Sequence, residues 1–365
     1  ELAGTYYRNG ANPQYPQLAS YHVFDGDGMI HAFEIAGGVC RYQNRWVRTE
    51  RFKAERAAGE RLFNGLMSGL PPKPRTEGVS GNTANTNILG HGGRLLALWE
   101  GGPPTELEPD TLATLGVHDF DGELARPNTG GSVTAHPKID PATGEMIFFG
   151  YNLTAPYLSY GAVNSAGRLV RRFALDSPHP SMLHDFLVTA EHVVFPVFPN
   201  TFSFDNFAAT GVPIAWKPEL GTQLGVMPRN GGPDDVLWLQ TDPCHVFHFL
   251  NSYTERGRII ADVCRFDALP LFGIDAGRPE LRRWTLDPSA GTMAEETLDD
   301  YAVDFPRIDD RFAGRRHRQG WFAGALGDTG EFADGFFNPV VHYDFERGTR
   351  KHAALDEGDN AGEPV

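Results

Sequence analysis

Short strand-like segments separated by turn residues constrain the fold of this chain more than any other feature. The segments are apolar and often β-branched or aromatic, and Gly, Pro, Asn or Asp fills the gaps between them. The chain has 42 Gly and 27 Pro among 365 residues, as frequent turns require. The predicted strands include residues 38–47, 94–99, 145–151, 192–197, 236–240 and 258–263. Many short strands favour a β-sandwich, a barrel or a propeller, and the length favours a propeller.

Helical patterns are scarce, and turns are easy to place. The best helix candidate is residues 51–66, where charged residues alternate with Ala and Leu. The sequences D-P-A-T-G at 140–144 and N-S-A-G-R at 164–168 each predict a turn between two strands. The aromatic segment 195–207 is compatible with a tunnel wall or a lipid contact, and its sequence favours ordinary packing over either.

Charge and cysteine content exclude several classes of function. A net charge of −15 argues against a nucleic-acid partner, because binding phosphates needs a basic surface. The three cysteines form no C-x-x-C pair, which indicates reduced thiols and a cytoplasmic setting. No apolar segment is long enough to span a bilayer, but the charge leaves a peripheral, apolar membrane contact open. We find no Gly-rich phosphate loop, zinc cluster or G-x-S-x-G motif.

Three histidines in separate motifs are the strongest sign of chemistry. They are His136 in T-A-H-P-K-I-D-P, His184 in M-L-H-D-F and His248 in F-H-F-L-N. Each is either a hydrogen-bonded structural residue or a ligand, and three neutral imidazoles are a suitable set for Fe(II). Asp185 either accepts a hydrogen bond from an imidazole or is a turn residue. Because side chains alternate between the two faces of a strand, His245 is expected to point away from His248.

Two carboxylates also have two interpretations each. Glu100 ends the apolar segment L-L-A-L-W-E, and Asp304 lies in V-D-F-P-R-I-D. A carboxylate at the end of a buried strand either meets solvent or accepts a hydrogen bond from the N–H of a metal-bound imidazole.

The motifs together resemble those of the carotenoid cleavage oxygenases. In order, they are G-T-Y-Y-R-N-G-A-N-P, H-V-F-D-G-D-G-M-I-H-A-F, R-Y-Q-N-R-W-V-R-T-E, T-A-N-T-N, L-L-A-L-W-E-G-G, T-A-H-P-K-I-D-P, M-L-H-D-F, F-H-F-L-N-S-Y-T-E and V-D-F-P-R-I-D. The resemblance covers essentially all 365 residues. It implies an all-β, seven-bladed propeller with a few short helices over an axial Fe(II), which activates dioxygen to cleave a conjugated carbon–carbon double bond into two carbonyls.

The resemblance also implies roles for individual residues. His136, His184 and His248 match iron ligands, and Glu100 matches a carboxylate that holds one of them. Asp304 stands where the family usually has Glu, so we expect it to reach its histidine through water or a shifted strand. Thr86 matches a residue whose methyl crowds an open iron position, although a plain strand threonine fits equally well. The matching substrate-tunnel residues are Phe24, Phe63, Trp99 and Phe247.

Substrate class depends on one position within the resemblance. Stilbene-cleaving relatives have Lys immediately before the Glu that corresponds to Glu100, and this chain has Trp99. An aromatic face fits an apolar polyene, a carotenoid or apocarotenoid, better than a phenol. Three alternatives stay open: cleavage of hydroxystilbenes, isomerisation of a polyene, and a propeller that binds an apolar ligand without cleaving it.

The resemblance also bears on the extent of the chain. We expect residues 1–365 to be a single propeller domain that lacks the family's N-terminal segment and its C-terminal blade or blades. The fourth family histidine and the last glutamate are then expected beyond Val365. The oligomeric state is left open by the sequence.

Overall fold

The computed structural model describes residues 2–16, 25–65, 73–125, 129–325 and 337–364. Over these ranges the chain is all-β, with two short α-helices and a few turns of 3-10 helix. The blade-forming strands pair antiparallel with their neighbours along the chain. This meander is the blade unit of a β-propeller, as the closely spaced strands and turns predict.

Three sheets form in the first half of the chain. The three-stranded sheet contains β1 (Gly4–Ala11), β2 (Gly28–Ala36) and β3 (Val39–Trp46), and helix α1 (Glu50–Ala58) follows it. The second sheet contains β4 (Asn87–His91), β5 (Arg94–Leu98), β6 (Thr105–Leu107) and β7 (Thr114–Val117). The third contains β8 (Lys138–Ile139), β9 (Met146–Tyr151), β10 (Leu158–Val163) and β11 (Leu169–Leu175).

The second half forms three further four-stranded sheets, the first of which is interrupted by an insertion. Strands β12 (Leu187–Val188) and β13 (His192–Val197) precede the insertion, which contains β14 (Asn200–Phe202), α2 (Phe204–Thr210) and β15 (Ile214–Trp216). Strands β16 (Thr222–Pro228) and β17 (Leu237–Thr241) then complete that sheet. The next sheet contains β18 (His245–Glu255), β19 (Arg258–Phe266), β20 (Glu280–Asp287) and β21 (Thr292–Asp299). The last contains β22 (Val303–Arg307), β23 (Gln319–Gly324), β24 (Val340–Asp344) and β25 (Thr349–Ala353).

The propeller has six blades rather than seven in the described ranges, and the expectation was a seven-bladed propeller that is incomplete in this chain. Five blades have four strands and one has three. In the insertion, β14 and β15 pair with each other as a separate two-stranded sheet. Every other described strand belongs to one of the six blades. No described strand is left to build a seventh.

Strands and turns agree closely with the sequence pattern, whereas the first helix is shorter than predicted. The two predicted turns connect β8 to β9 and β10 to β11. Helix α1 begins after Thr49, whose hydroxyl accepts a hydrogen bond from the Phe52 N–H, and ends at Gly59 rather than continuing to residue 66. Gly59 has a φ of 71°, a left-handed conformation that glycine adopts without steric cost and that stops a helix.

One compact unit comprises Glu1–Pro137, Glu145–Leu175 and Ser203–Ile214. One of its apolar clusters joins the first two sheets, because alternate residues of β2 and β5 point to the same side. The cluster contains Ile30, Ala32, Val47, Ala84, Leu95, Ala97, Leu107 and Leu112.

The other compact unit comprises Lys138–Gly144, Asp176–Phe202 and Ala215–Val365. Its main core lies between the β12–β17 sheet and the β18–β21 sheet and is centred on Trp284. The Trp284 ring is fully buried, packs edge-on against Phe249, and donates its indole N–H to Glu295 at 2.6 Å. The core of this unit therefore contains a large aromatic side chain whose buried N–H group forms a hydrogen bond.

The aromatic segment 195–207 divides into a buried half and an exposed half. Phe195 and Phe198 are buried in the core, which supports ordinary packing for that half. Phe204 on α2 is 69% exposed and Phe207 is 37% exposed. Among the described residues, no helix has the length and apolar character needed to cross a membrane.

Replacing the core tryptophan should destabilise the protein strongly. We expect Trp284→Ala to lower the free energy of unfolding by about 3–5 kcal/mol, because it leaves a cavity between two sheets and removes the indole hydrogen bond to Glu295. Leu237→Ala, on a 41% exposed side chain, should change it by less than about 0.5 kcal/mol. Urea unfolding of both variants checks this; equal effects would contradict the assignment of the core.

Candidate metal centre

His184 and His248 face each other within the second unit. His184 lies just before β12, and His248 lies in β18. Their Nε2 atoms are 3.2 Å apart, and their ring planes are nearly perpendicular at 82°. Two nitrogens bound to one ion at about 2.1 Å and at right angles would be about 3.0 Å apart. The spacing of this pair therefore suits two ligands of a single metal ion.

Asp304 fixes the orientation of His248. The Asp304 carboxylate Oδ1 lies 2.9 Å from His248 Nδ1. An ionised carboxylate only accepts hydrogen bonds, so Nδ1 carries the proton and Nε2 of the neutral ring keeps its lone pair. That lone pair is on the side of the ring that faces His184. The arrangement is the one expected of a metal-binding imidazole held by a carboxylate.

Asp304 reaches the imidazole without an intervening group because β22 is irregular at this point. The pairing of β22 with β23 shifts register between Asp304 and Arg307, and Phe305 adopts a φ of 51°. A bulge of this kind redirects the side chains beside it. Of the two routes expected from the sequence, the irregular strand matches what is observed. The role of Asp304 toward a metal stays a prediction.

The alternation of side chains between the two faces of β18 is also interrupted beside His248. The pairing of β18 with β19 shifts register on both sides of Phe249. As a result Phe247 and Phe249 lie in different apolar clusters, and the Phe247 ring meets His184 edge-on at 5.6 Å. His245 is fully buried, and its Nδ1 lies 3.3 Å from the Asn200 side-chain amide.

The two histidines of β18 differ in how readily they take up a proton. Burial lowers the pKa of His245 to about 3, so this ring is neutral near pH 7. Burial also disfavours the charged form of His248, but the charge and hydrogen bond of Asp304 outweigh it and raise the His248 pKa. A second proton on His248 would occupy Nε2, where a metal would bind, so metal and proton compete for that atom.

His136 is held at the end of the first unit by backbone contacts on both sides. Thr134 N–H donates to the Phe149 carbonyl in β9, and Asn87 donates to the Ala135 carbonyl at 2.8 Å. The His136 N–H donates to the Thr134 hydroxyl. Pro137 follows directly and restricts the backbone of His136 to an extended conformation.

One nitrogen each from His136, His184 and His248 lies within 4.8 Å of the others. The donor set is three imidazoles, which suit zinc, copper, iron and nickel better than magnesium or calcium. The three histidines that the sequence predicted as ligands therefore form a group that could hold a metal ion.

Glu100 lies in the turn after β5 and pairs with a partly buried tyrosine. The Tyr151 hydroxyl, at the end of β9, donates to Glu100 Oε1 at 2.5 Å. Burial and the Glu100 charge together raise the Tyr151 pKa well above its usual value, so the hydroxyl keeps its proton. The predicted contact of Glu100 with an imidazole stays a prediction.

Thr86 is exposed in the bend before β4. Its N–H donates to the Leu98 carbonyl, and its hydroxyl lies 3.2 Å from the Asn85 side-chain oxygen. These contacts fix the backbone of Thr86. Its predicted role beside a metal stays a prediction.

The four predicted tunnel residues have different surroundings. Phe24 lies outside the described residues. Phe63 is buried beneath the Arg51 guanidinium at 5.2 Å, and Phe247 packs against His184. The Trp99 indole lies over Gly101 and Gly102, where an added Cβ would come within 3.0 and 3.1 Å of the ring. The two glycines therefore allow the indole to lie close to the backbone.

Two polar residues near the predicted site were missed from the sequence. Tyr151 is one, because a tyrosine at the end of an apolar strand gives no sign that its hydroxyl meets Glu100. Lys138 is the other; its ammonium lies 2.6 Å from Asp185. A signal for this pair did exist, since residues of opposite charge follow two histidines that were expected to converge.

Known proteins give a consistent comparison. The chain matches, over residues 1–365, the family described as RPE65, retinal pigment epithelial membrane protein. It is 35% identical to an isoeugenol monooxygenase of Pseudomonas nitroreducens over 88% of this chain and 69% of that enzyme. It is 34% identical to a carotenoid cleavage oxygenase of Mycobacterium tuberculosis over 100% of this chain and 80% of that protein.

A solved structure agrees with these relatives. The lignostilbene dioxygenase of Pseudomonas brassicacearum superposes with a TM-score of 0.87 and 31% identity, covering 97% of this chain and 78% of that one. The family match spans the chain and the fold is shared throughout. The protein is therefore an oxygenase that belongs to the RPE65 and carotenoid cleavage oxygenase family.

Proposed function

We propose that this protein is a non-haem Fe(II) dioxygenase that cleaves a conjugated carbon–carbon double bond of a carotenoid or apocarotenoid. The proposal takes residues 1–365 as part of one propeller domain with His136, His184 and His248 as iron ligands. The single observation that carries it is the convergence of these three imidazoles. Membership in a family of carotenoid cleavage oxygenases supports the reaction.

The proposed reaction is balanced by dioxygen alone. The carbon–carbon double bond breaks, each carbon gains one oxygen atom from the same O2, and two carbonyl products form. No external reductant is needed. Bound Fe(II) would supply the activation of dioxygen.

The protein's own residues would orient the ligands and receive the substrate. Asp304 accepts the Nδ1 proton of His248, which leaves the Nε2 lone pair on the side of the ring that faces His184. Uncharged imidazoles do not offset the charge of the metal ion, unlike carboxylates. Trp99 presents an aromatic face, held over Gly101 and Gly102, against which a polyene can pack.

A second candidate substrate class is a phenolic aromatic alkene. Its support is the similarity to an isoeugenol monooxygenase and to a lignostilbene dioxygenase. Trp99 argues against it, because it offers no ammonium group to bind a phenol. Both classes require the same iron chemistry, so product analysis separates them.

Product analysis of the complete gene product tests both the reaction and the substrate. We would purify the protein without oxygen, load it with Fe(II), and offer an apocarotenal, a hydroxystilbene and isoeugenol separately under 18O2. We expect labelled aldehydes from the apocarotenal and none without iron. Aldehydes from the aromatic alkenes alone would overturn the carotenoid assignment, products of unchanged mass would indicate isomerisation, and binding without turnover would sink the oxygenase proposal.

Removing the charge of Asp304 should weaken metal binding. We expect Asp304→Asn to lower Fe(II) affinity by about 10- to 100-fold, because the charged acceptor that orients His248 is replaced by a neutral amide. Asp344→Asn is the matched control: Asp344 is similarly buried and pairs with Arg318 rather than a histidine. Chelator competition measures affinity, and equal losses in both variants would contradict this role for Asp304.

Substitution of Trp99 should change substrate preference rather than metal content. We expect Trp99→Lys to lower kcat/KM for an apocarotenal at least tenfold and to raise it for a hydroxystilbene, because an ammonium replaces an aromatic face. Trp99→Phe should keep most of the apocarotenal activity. An unchanged preference in Trp99→Lys would show that this position does not face the substrate.

A further inference from the structure

The Lys138–Asp185 ion pair joins the chain segments that carry two of the candidate ligands, His136 and His184. Lys138 is two residues after His136, and Asp185 is directly after His184. The Lys138 ammonium lies 2.6 Å from Asp185 Oδ1. The Asp185 side chain is only 2% exposed, whereas that of Lys138 is 29% exposed.

The same carboxylate also binds the third segment. Asp185 Oδ2 accepts a hydrogen bond at 3.0 Å from the N–H of Phe249, the residue directly after His248. Oδ1 also accepts from the neighbouring Phe186 N–H at 2.8 Å. One buried carboxylate thus contacts residues one or two positions from each candidate ligand.

The contact with Phe249 lies where the regular hydrogen bonding of the sheet is interrupted. Strand β18 shifts register on both sides of Phe249, so the regular ladder of β18 and β19 is broken there. A backbone N–H in a bulge must find another acceptor when it is buried. Asp185 supplies that acceptor and thereby holds the backbone beside His248 to the backbone beside His184.

A second ion pair keeps the Lys138 segment in place. Asp140 accepts from Arg229 at 2.6 Å, and Arg315 lies 3.7 Å from its other oxygen. Lys138 and Asp140 are two residues apart in an extended segment, so they lie on the same side of it. The chain that leaves His136 is therefore fixed at two successive points by opposite charges.

We propose that Asp185, with Lys138, is a positioning residue that sets the spacing of the three metal-binding imidazoles. This inference rests on the proposed metal centre and assigns no contact with substrate or metal to either residue. Asp185 acts through backbone and chain connectivity, whereas Asp304 acts on one imidazole directly. Loss of Asp185 should therefore disturb all three ligands together.

Metal binding by variants of the complete gene product tests the proposal. Asp185→Asn should lower Co(II) affinity by about 10- to 100-fold in chelator competition and alter the visible spectrum of bound Co(II). Lys138→Met should also lower Co(II) affinity, whereas Lys138→Arg should keep most of it. The double variant with Asp185→Asn and Lys138→Met should bind Co(II) only slightly more weakly than Asp185→Asn alone, because both substitutions remove the same ion pair.

Asp262→Asn separates positioning from general stability. Asp262 is fully buried in β19 and forms a two-point ion pair with Arg283 at 2.7 and 2.9 Å. The imidazole that it contacts is that of His317, at 3.1 Å, which is not a candidate ligand. We expect it to lower the melting temperature without changing Co(II) affinity. If Asp185→Asn lowers the melting temperature equally and binds Co(II) like the unaltered protein, the proposal is wrong.

A measurement without metal distinguishes failure of this inference from failure of the proposed function. In crystals of metal-free Asp185→Asn, we expect the 3.2 Å separation of His184 Nε2 and His248 Nε2 to increase by at least about 1 Å. An unchanged separation would overturn the positioning role. If the unaltered protein binds neither Fe(II) nor Co(II), the proposed function fails, while the separation still decides whether Asp185 positions the rings.

Discussion

Pairing of buried carboxylates is the constraint on which the arrangement of the histidines depends. A carboxylate removed from water is costly unless every lone pair that faces the interior finds a donor. Asp185 meets this requirement with an ammonium and two backbone N–H groups, and Asp304 meets it with an imidazole and the Phe305 N–H. Because these donors come from segments distant in sequence, satisfying the carboxylates also fixes where those segments meet.

The regular strands build the blades, whereas residues of the candidate site lie where two strands are irregular. His248 lies in a strand whose register shifts beside it, and Asp304 precedes a residue with positive φ. An unbroken strand would send neighbouring side chains to opposite faces at fixed intervals. The bulges release the side chains from that rule, so that a short aspartate can contact an imidazole directly.

The sequence predicted local features of this fold better than its count of blades. Strand positions and the turns at 140–144 and 164–168 follow from apolar runs and turn residues, and the structure confirms them. The helix end at Gly59 was misplaced because charged and apolar residues continue past it, while a single left-handed residue stops the helix. No local pattern shows how many blades the strands form or that β14 and β15 pair only with each other.

Only part of the candidate site could be predicted from the sequence motifs. The motifs identified His136, His184 and His248, and the structure groups them. No motif shows that Tyr151 meets Glu100, and the only sign that Lys138 meets Asp185 is that opposite charges follow two histidines, because each contact joins residues about fifty positions apart. Such pairs depend on the register of whole strands, which no short segment of sequence encodes.

The insertion between β13 and β16 has a consequence for how relatives of this protein diverge. Strands β13 and β16 pair directly, up to Val197 opposite Gln223, so the blade closes whether the intervening chain is long or short. Doubling the length of such a connection costs only about 0.6 kcal/mol in closure entropy. Evolution can therefore lengthen, shorten or exchange β14, α2 and β15 at little cost to folding, while the histidine-bearing segments on either side keep their register.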